Sequence, residues 1–91
     1  MAHLLSTDGM VTEINPVNGS DFRIDELRKA LDVRVVQIVH IKNGMVLAID
    51  DEGKYNGSKP NAFASLLVGG NSTIYGNAVY CKSSQVYDAR N

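Results

Sequence analysis

A chain of 91 residues carries nine Lys and Arg against ten Asp and Glu, for a formal charge of -1. That near balance excludes a global field that would draw it to a nucleic-acid backbone or an anionic lipid surface, so neither a DNA duplex nor a membrane is an expected partner. Its one cysteine, Cys81, excludes an internal disulfide and a multi-cysteine metal site, and the length allows a single modest core with little room for a deep private active site.

Residues 1–9 form a loose lead-in or a short edge segment, and Asp8-Gly9 is a turn signal. Met10 to Pro16 reads as a strand that must stop or lie at an edge, because Pro16 has no N–H for a ladder. The cluster Asn18-Gly19-Ser20-Asp21 then makes a turn. From Ile24 to Leu31 the apolar residues Ile24, Leu27, Ala30 and Leu31 recur at helical spacing, with Arg23, Asp25, Glu26, Arg28 and Lys29 left for water. Asp25 and Glu26 in the first turn and Arg28 and Lys29 toward the end suit the helix dipole.

Arg34 to Lys42 is dense in β-branched residues and predicts a strand. Asn43-Gly44 predicts a hairpin turn with positive φ, and Met45 to Ile49 the returning strand. Both strands are apolar on both parities, so both faces of the hairpin need cover. One short helix shields only part of one face, and the surplus points to self-association. Asp50-Asp51-Glu52-Gly53 ends the strand in a solvated turn, and Lys54 to Lys59 forms a polar loop. Pro60-Asn61 opens a second helix with Asn61 as its N-cap, and Gly69-Gly70 stops it.

Thr73 to Lys82 is the last expected strand, with Tyr75 and Asn77 on one parity and Gly76 marking a bulge or a close approach. Ser83 to Asn91 is a polar tail with Val86 and Tyr87 to anchor it to the body or to a neighbouring subunit. The expectation is a small single α+β domain over residues 1–91, in the order β-α-β-β-α-β, with a mostly antiparallel sheet and two short helices. Residues 1–9 and 83–91 are its extended termini.

No catalytic group assembles from these residues. His3 falls in a mobile N-terminus, His40 in the middle of an apolar strand, and neither has a sequence partner for activating a nucleophile. Cys81 beside Val79 reads as a small buried thiol. The run Asp50-Asp51-Glu52 lacks the alternating oxygen spacing of a calcium loop. The expectation is therefore a protein with no catalytic residue, metal or cofactor. The segment Met1-Ala-His-Leu-Leu lacks a basic leader and a long apolar run, so the expected location is cytoplasmic.

The polar loop differs from the rest in holding the parts of a nucleotide grip. Tyr55 or Tyr75 offers a ring for stacking on a base, and Asn56, Asn61 and Asn77 offer amides that read a base edge or ribose. Lys54 and Lys59, with Arg34, supply positive charge for phosphate, and the amides at the start of the helix after Asn61 point the same way. The plain alternative, which composition alone favours, is a surface loop whose glycines and asparagines only make turns, and spacing does not separate the two.

Several motifs in order resemble a family: Glu13-Ile-Asn-Pro-Val-Asn-Gly19, Leu27-Arg-Lys-Ala-Leu31, Val36-Gln-Ile-Val39, Val46-Leu-Ala-Ile-Asp-Asp-Glu-Gly53, Pro60-Asn61 and Ile74-Tyr-Gly-Asn-Ala-Val79. Together they are similar to a small domain family of uncharacterised function common in phages and plasmids. The likeness runs from about residue 11 to residue 82. Two positions depart from it, since Ser58-Lys59 replaces a more apolar Leu and Arg23 stands where a capping Ser is usual. The phage setting implies a likeness to viral sponges that sequester host cyclic-nucleotide signals of the CBASS defence, which are homo-oligomers.

Resemblance and loop chemistry lead to one expectation: a non-catalytic protein, dimeric or tetrameric, that sequesters a cyclic dinucleotide or related nucleotide signal. The alternative is a small phage or plasmid accessory domain that docks on a host protein through the apolar hairpin face. A third reading, an enzyme acting on nucleotides, has no nucleophile, base or metal cluster to support it.

Overall fold

A computed structural model describes residues 2–86 of the chain. Five strands form one antiparallel sheet in the order β2-β1-β5-β4-β3, with β1 at Ala2–Leu5, β2 at Val11–Ile14, β3 at Val36–His40, β4 at Met45–Asp50 and β5 at Ala78–Lys82. The helices are α1 (Ile24–Leu31) and α2 (Ala62–Val68). The α+β class, the single domain and the helix positions agree with the sequence expectation.

Alternation along the strands explains how the two helices are used. On β4, Val46 and Ala48 face one side with Val79 and Cys81 of β5, where Leu27 and Leu31 of α1 close over them. Leu47 and Ile49 face the other side with Ala78, under Ala64, Leu67 and Val68 of α2. Every residue of β4 after Met45 is buried, which is why this strand is apolar on both parities. The surplus apolar surface expected on the hairpin is therefore covered within the chain, one helix to each face, and is not an argument for self-association. Fully buried Leu27 and Leu47 each contribute about 1.5–3 kcal/mol from their burial.

Other differences from the expectation have identifiable causes. The lead-in is a strand: Ala2–Leu5 pairs with β2 on one side and β5 on the other, and its mixed polarity reflects only partial cover. His3, expected in a mobile segment, is half-buried between Glu13 and Tyr80 of the flanking strands. The last strand begins at Ala78 instead of Thr73, because Gly76 has φ 88 and breaks the extended run. The β3–β4 hairpin is as expected, with Asn43 and Gly44 both at positive φ.

Around α1, the cap missing at Arg23 is made good from inside the helix. Glu26 accepts the Arg23 N–H at 3.1 Å and the Val17 N–H at 2.9 Å, tying the approach segment to the first turn. At the other end Asp32 takes the left-handed conformation at φ 56, while Val33 N–H donates to the Arg28 carbonyl and Asp32 N–H to the Lys29 carbonyl. Val86 is buried and bridges Phe22, so the tail is anchored there as expected. Tyr87, the other expected anchor, lies outside the described residues.

Candidate functional site

Four segments meet at one end of the sheet: the turn after β1, the C-terminus of α1, the segment that follows β4, and the residues just before β5. They enclose a cleft of about 310 Å³ lined by Thr7, Asp32, Asp50, Asn56, Lys59 and Asn77, among others. This lies near the lower end of the roughly 300–1,000 Å³ of small-molecule sites.

Hydrogen bonds from separate parts of the chain hold the cleft in shape. Asp50 ends β4 and is buried, in contrast to the solvated turn expected for it, because its carboxylate is used by the loop. It accepts the Glu52 N–H at 2.8 Å through Oδ1 and the Asn56 Nδ2 at 3.1 Å through Oδ2. Asn77 Oδ1 accepts the Thr7 N–H at 3.1 Å, across 70 residues of sequence. The Lys59 and Pro60 stretch pairs with residues 74–76, through Gly76 N–H to the Lys59 carbonyl at 2.8 Å and Asn61 N–H to the Ile74 carbonyl at 2.7 Å.

Gly53 lets the loop close. A Cβ there would stand 2.7 Å from the Tyr75 carbonyl oxygen, so only glycine allows the turn after β4 to lie on the Tyr75 backbone. Beyond this contact a smaller groove of about 170 Å³ runs past Gln37, Lys54, Thr73 and Tyr75, with Asp50 lining both depressions.

The residues expected to grip a ligand are divided by this geometry. Asn56, Lys59 and Asn77 share the cleft, while Lys54 and Tyr75 line the groove. Tyr75 and Asn77 do not form one wall, because the turn at Gly76 sends them to different depressions. Tyr55 is 92% exposed and lines neither. Arg34 pairs with Glu52 at 2.5 Å on the surface. Asn61 is 1% exposed, and its amide is used within the fold. Its Nδ2 donates to the Leu5 and Gly76 carbonyls at 3.0 Å each, and its Oδ1 caps α2 by accepting the Ala64 N–H. The N-cap expected of Asn61 is present, but its side chain does not face a ligand.

Sequence reasoning missed Thr7, Asp32 and Asp50. Thr7 belongs to a turn that looked peripheral, and Asp32 looked like a helix end. A mid-sequence acidic residue at the end of a wholly apolar strand was the available signal for Asp50.

Electrostatically the cleft is mixed, with two carboxylates, Asp32 and Asp50, against one ammonium, Lys59. Asp8, at the exposed β1–β2 turn, has its carboxyl held below the usual range by the Ser6 hydroxyl and the Met10 N–H, with a small further lowering from the Lys59 charge. Cys81, buried in the core on the α1 face of the sheet, has its thiol pushed up to about 11 by desolvation, which makes it a poor nucleophile. No group of three His, Cys, Asp or Glu among the described residues is placed to hold a metal ion, and no helix among them is long and apolar enough to cross a membrane.

No curated protein and no solved structure matches the chain. Residues 2–88 do match a family described as a domain of unknown function, DUF3846, and the chain belongs to that family.

Proposed function

We propose that the chain is a non-catalytic grip for a nucleotide-type small molecule, held in the cleft between Asp50, Asn56, Lys59 and Asn77. The observation that carries this reading is the convergence of two asparagine amides and a lysine, from separate segments, on one concave surface. Amides read polar edges, and Lys59 stands at the same surface to meet a phosphate. In a phage, such a grip would act as a sponge for a cyclic-nucleotide immune signal of the CBASS kind. One cleft suits one nucleoside half, so a cyclic dinucleotide would be shared by the clefts of two protomers.

Calorimetry against cyclic mono-, di- and trinucleotides and the matching nucleosides tests the proposal. Saturable heat with at least one of them, weakened tenfold or more by Lys59→Ala or Asn56→Ala, is expected. A flat titration and an unchanged melting temperature across the whole panel would reject it. Conversion of the bound ligand to a new product would instead make the chain an enzyme.

A second reading, an accessory domain that docks on a host protein, draws on α2. Its outer face shows Phe63 at 44% and Leu66 at 80% exposure. Val39 and Ile41, on the hairpin expected to present a docking face, pack against the α2 cluster instead. A pull-down partner lost with Leu66→Glu but kept with Lys59→Ala would favour this reading.

A further inference from the structure

We infer that the cleft selects a planar heterocycle edge with a hydrogen-bond donor beside an acceptor, and that it reads this edge with Asn56 and Asn77 as a fixed acceptor and donor pair. The inference deepens the nucleotide reading and rests on it. It follows from which end of each amide the protein has already taken.

The Asp50 carboxylate can only accept, so the 3.1 Å contact to Asn56 fixes the nitrogen end of that amide against Asp50. Its Oδ1 has no partner among the described residues and is left as an acceptor at the cleft. Asn77 is held the opposite way round. The Thr7 N–H can only donate, so the 3.1 Å contact fixes the Asn77 oxygen and leaves Nδ2 as a donor with no partner among the described residues. Both side chains line the same cleft; Asn56 is exposed, and half-buried Asn77 has no buried side-chain polar atom that lacks a bond, so the two free ends are open to solvent.

Two locked amides of opposite sense form a template. Because each is anchored by its other end, neither can flip to suit a ligand of reversed pattern without breaking an internal hydrogen bond. A lactam edge carries the complementary groups, a ring N–H for Asn56 Oδ1 and a carbonyl for Asn77 Nδ2. Uracil, hypoxanthine and guanine carry such an edge. Asp32 and Asp50 oppose an anion in the same place, so any phosphate of the ligand sits outward, toward Lys59.

The test is titration of the full chain, followed by calorimetry and amide NMR shifts, with uridine and inosine and with 3-methyluridine and 1-methylinosine. The methylated forms keep ring shape and carbonyls but lose the donor. The expected result is a tenfold or greater loss of affinity on methylation. Asn77→Asp, which keeps an acceptor for the Thr7 N–H and replaces the free donor with an acceptor, is expected to lose uridine and inosine affinity by a similar factor.

Equal affinity for methylated and unmethylated ligands, or stronger binding of spermidine than of either nucleoside, would overturn the inference while leaving a binding cleft in place. Absence of any nucleoside or nucleotide binding to the parent chain would remove the nucleotide reading itself, and the inference with it. The ligand comparison needs no variant, so it decides the matter even if Asn77→Asp fails to fold.

Discussion

The side-chain amide of Asn61 donates to the backbone carbonyl of Leu5 at 3.0 Å, joining the start of α2 to the end of β1 across 56 residues of sequence. The same nitrogen reaches the carbonyl of Gly76, which lines the cleft, and the amide oxygen caps α2, so one side chain fixes three segments.

Asn61→Ala removes the cap, worth about 1 kcal/mol, and strips a donor from two carbonyls in or near the core, each costing about 1–3 kcal/mol if left unpaired. The expected loss of unfolding free energy in urea is about 3 kcal/mol or more, with an unchanged m-value. Asn61→Asp keeps the capping oxygen but sets a carboxylate against two carbonyls, and it should be no better tolerated. A loss below about 1 kcal/mol for the alanine variant would mean that water replaces the amide at low cost.

The close approach at Gly53 gives a second prediction. Its Cβ would meet the Tyr75 carbonyl oxygen at 2.7 Å, and backbone held by the neighbouring pairing of residues 59–61 with 74–76 has little freedom to retreat. Gly53→Ala should cost about 1–3 kcal/mol, as overpacking does, and should shift the amide resonances of residues 50–58 and 73–77. Thermal melts together with an NMR spectrum check this; a variant as stable as the parent with unmoved Tyr75 and Gly76 signals would refute it.

These two contacts show why the fold was more legible than the site. Hydrophobic spacing found α1 from Ile24, Leu27 and Leu31, and the β-branched run with Asn43-Gly44 found the β3–β4 hairpin, because local pattern decides those elements. Strand β1 was legible at most as a short edge segment, since Ala2, His3, Leu4 and Leu5 alternate too briefly to signal an interior strand and gain their place only by pairing on both sides. Asn61 was legible as a helix cap but not as a buried tether, because its Leu5 partner is set by topology. Tyr55 looked suited to stacking by residue type alone, whereas the loop turns its ring into water. The division of Tyr75 from Asn77 depended on the positive φ of Gly76, for which the glycine was a hint without a direction.

Burial of Cys81 makes stability fall at alkaline pH. The thiol is pushed from 9.0 to about 11 in the folded chain, so between those values the unfolded state has lost its proton while the folded state keeps it. The contribution is therefore fully present below about pH 9 and is lost as pH rises through the window to about 11. Other groups titrate in the same range, so the informative quantity is the difference between parent and Cys81→Ala. Alanine lowers stability at neutral pH by leaving a small cavity. The gap should narrow as pH rises through the window; a constant gap would mean that the thiol titrates normally. Native Cys81 should also resist alkylation by iodoacetamide at pH 8.

Asp32 combines strain with position. It holds φ 56 at the end of α1, where glycine is the usual occupant, and it lines the cleft. A left-handed L-residue costs about 1–2 kcal/mol, reduced for Asp, while glycine returns about 0.4–1 kcal/mol through the greater freedom of the unfolded chain. Asp32→Gly should therefore raise stability by about 0.5 kcal/mol and, by removing a carboxylate from the cleft, improve the affinity of ligands that carry phosphate more than that of neutral nucleosides. Asp32→Asn separates the two effects, since asparagine tolerates the same backbone conformation and lacks the charge. It should reproduce the shift in ligand preference with little change in melting temperature. If Asp32→Gly instead destabilises the chain while Asp32→Asn does not, the freedom glycine gives the unfolded chain would outweigh the relief of backbone strain, and the charge would have no part in holding the helix end.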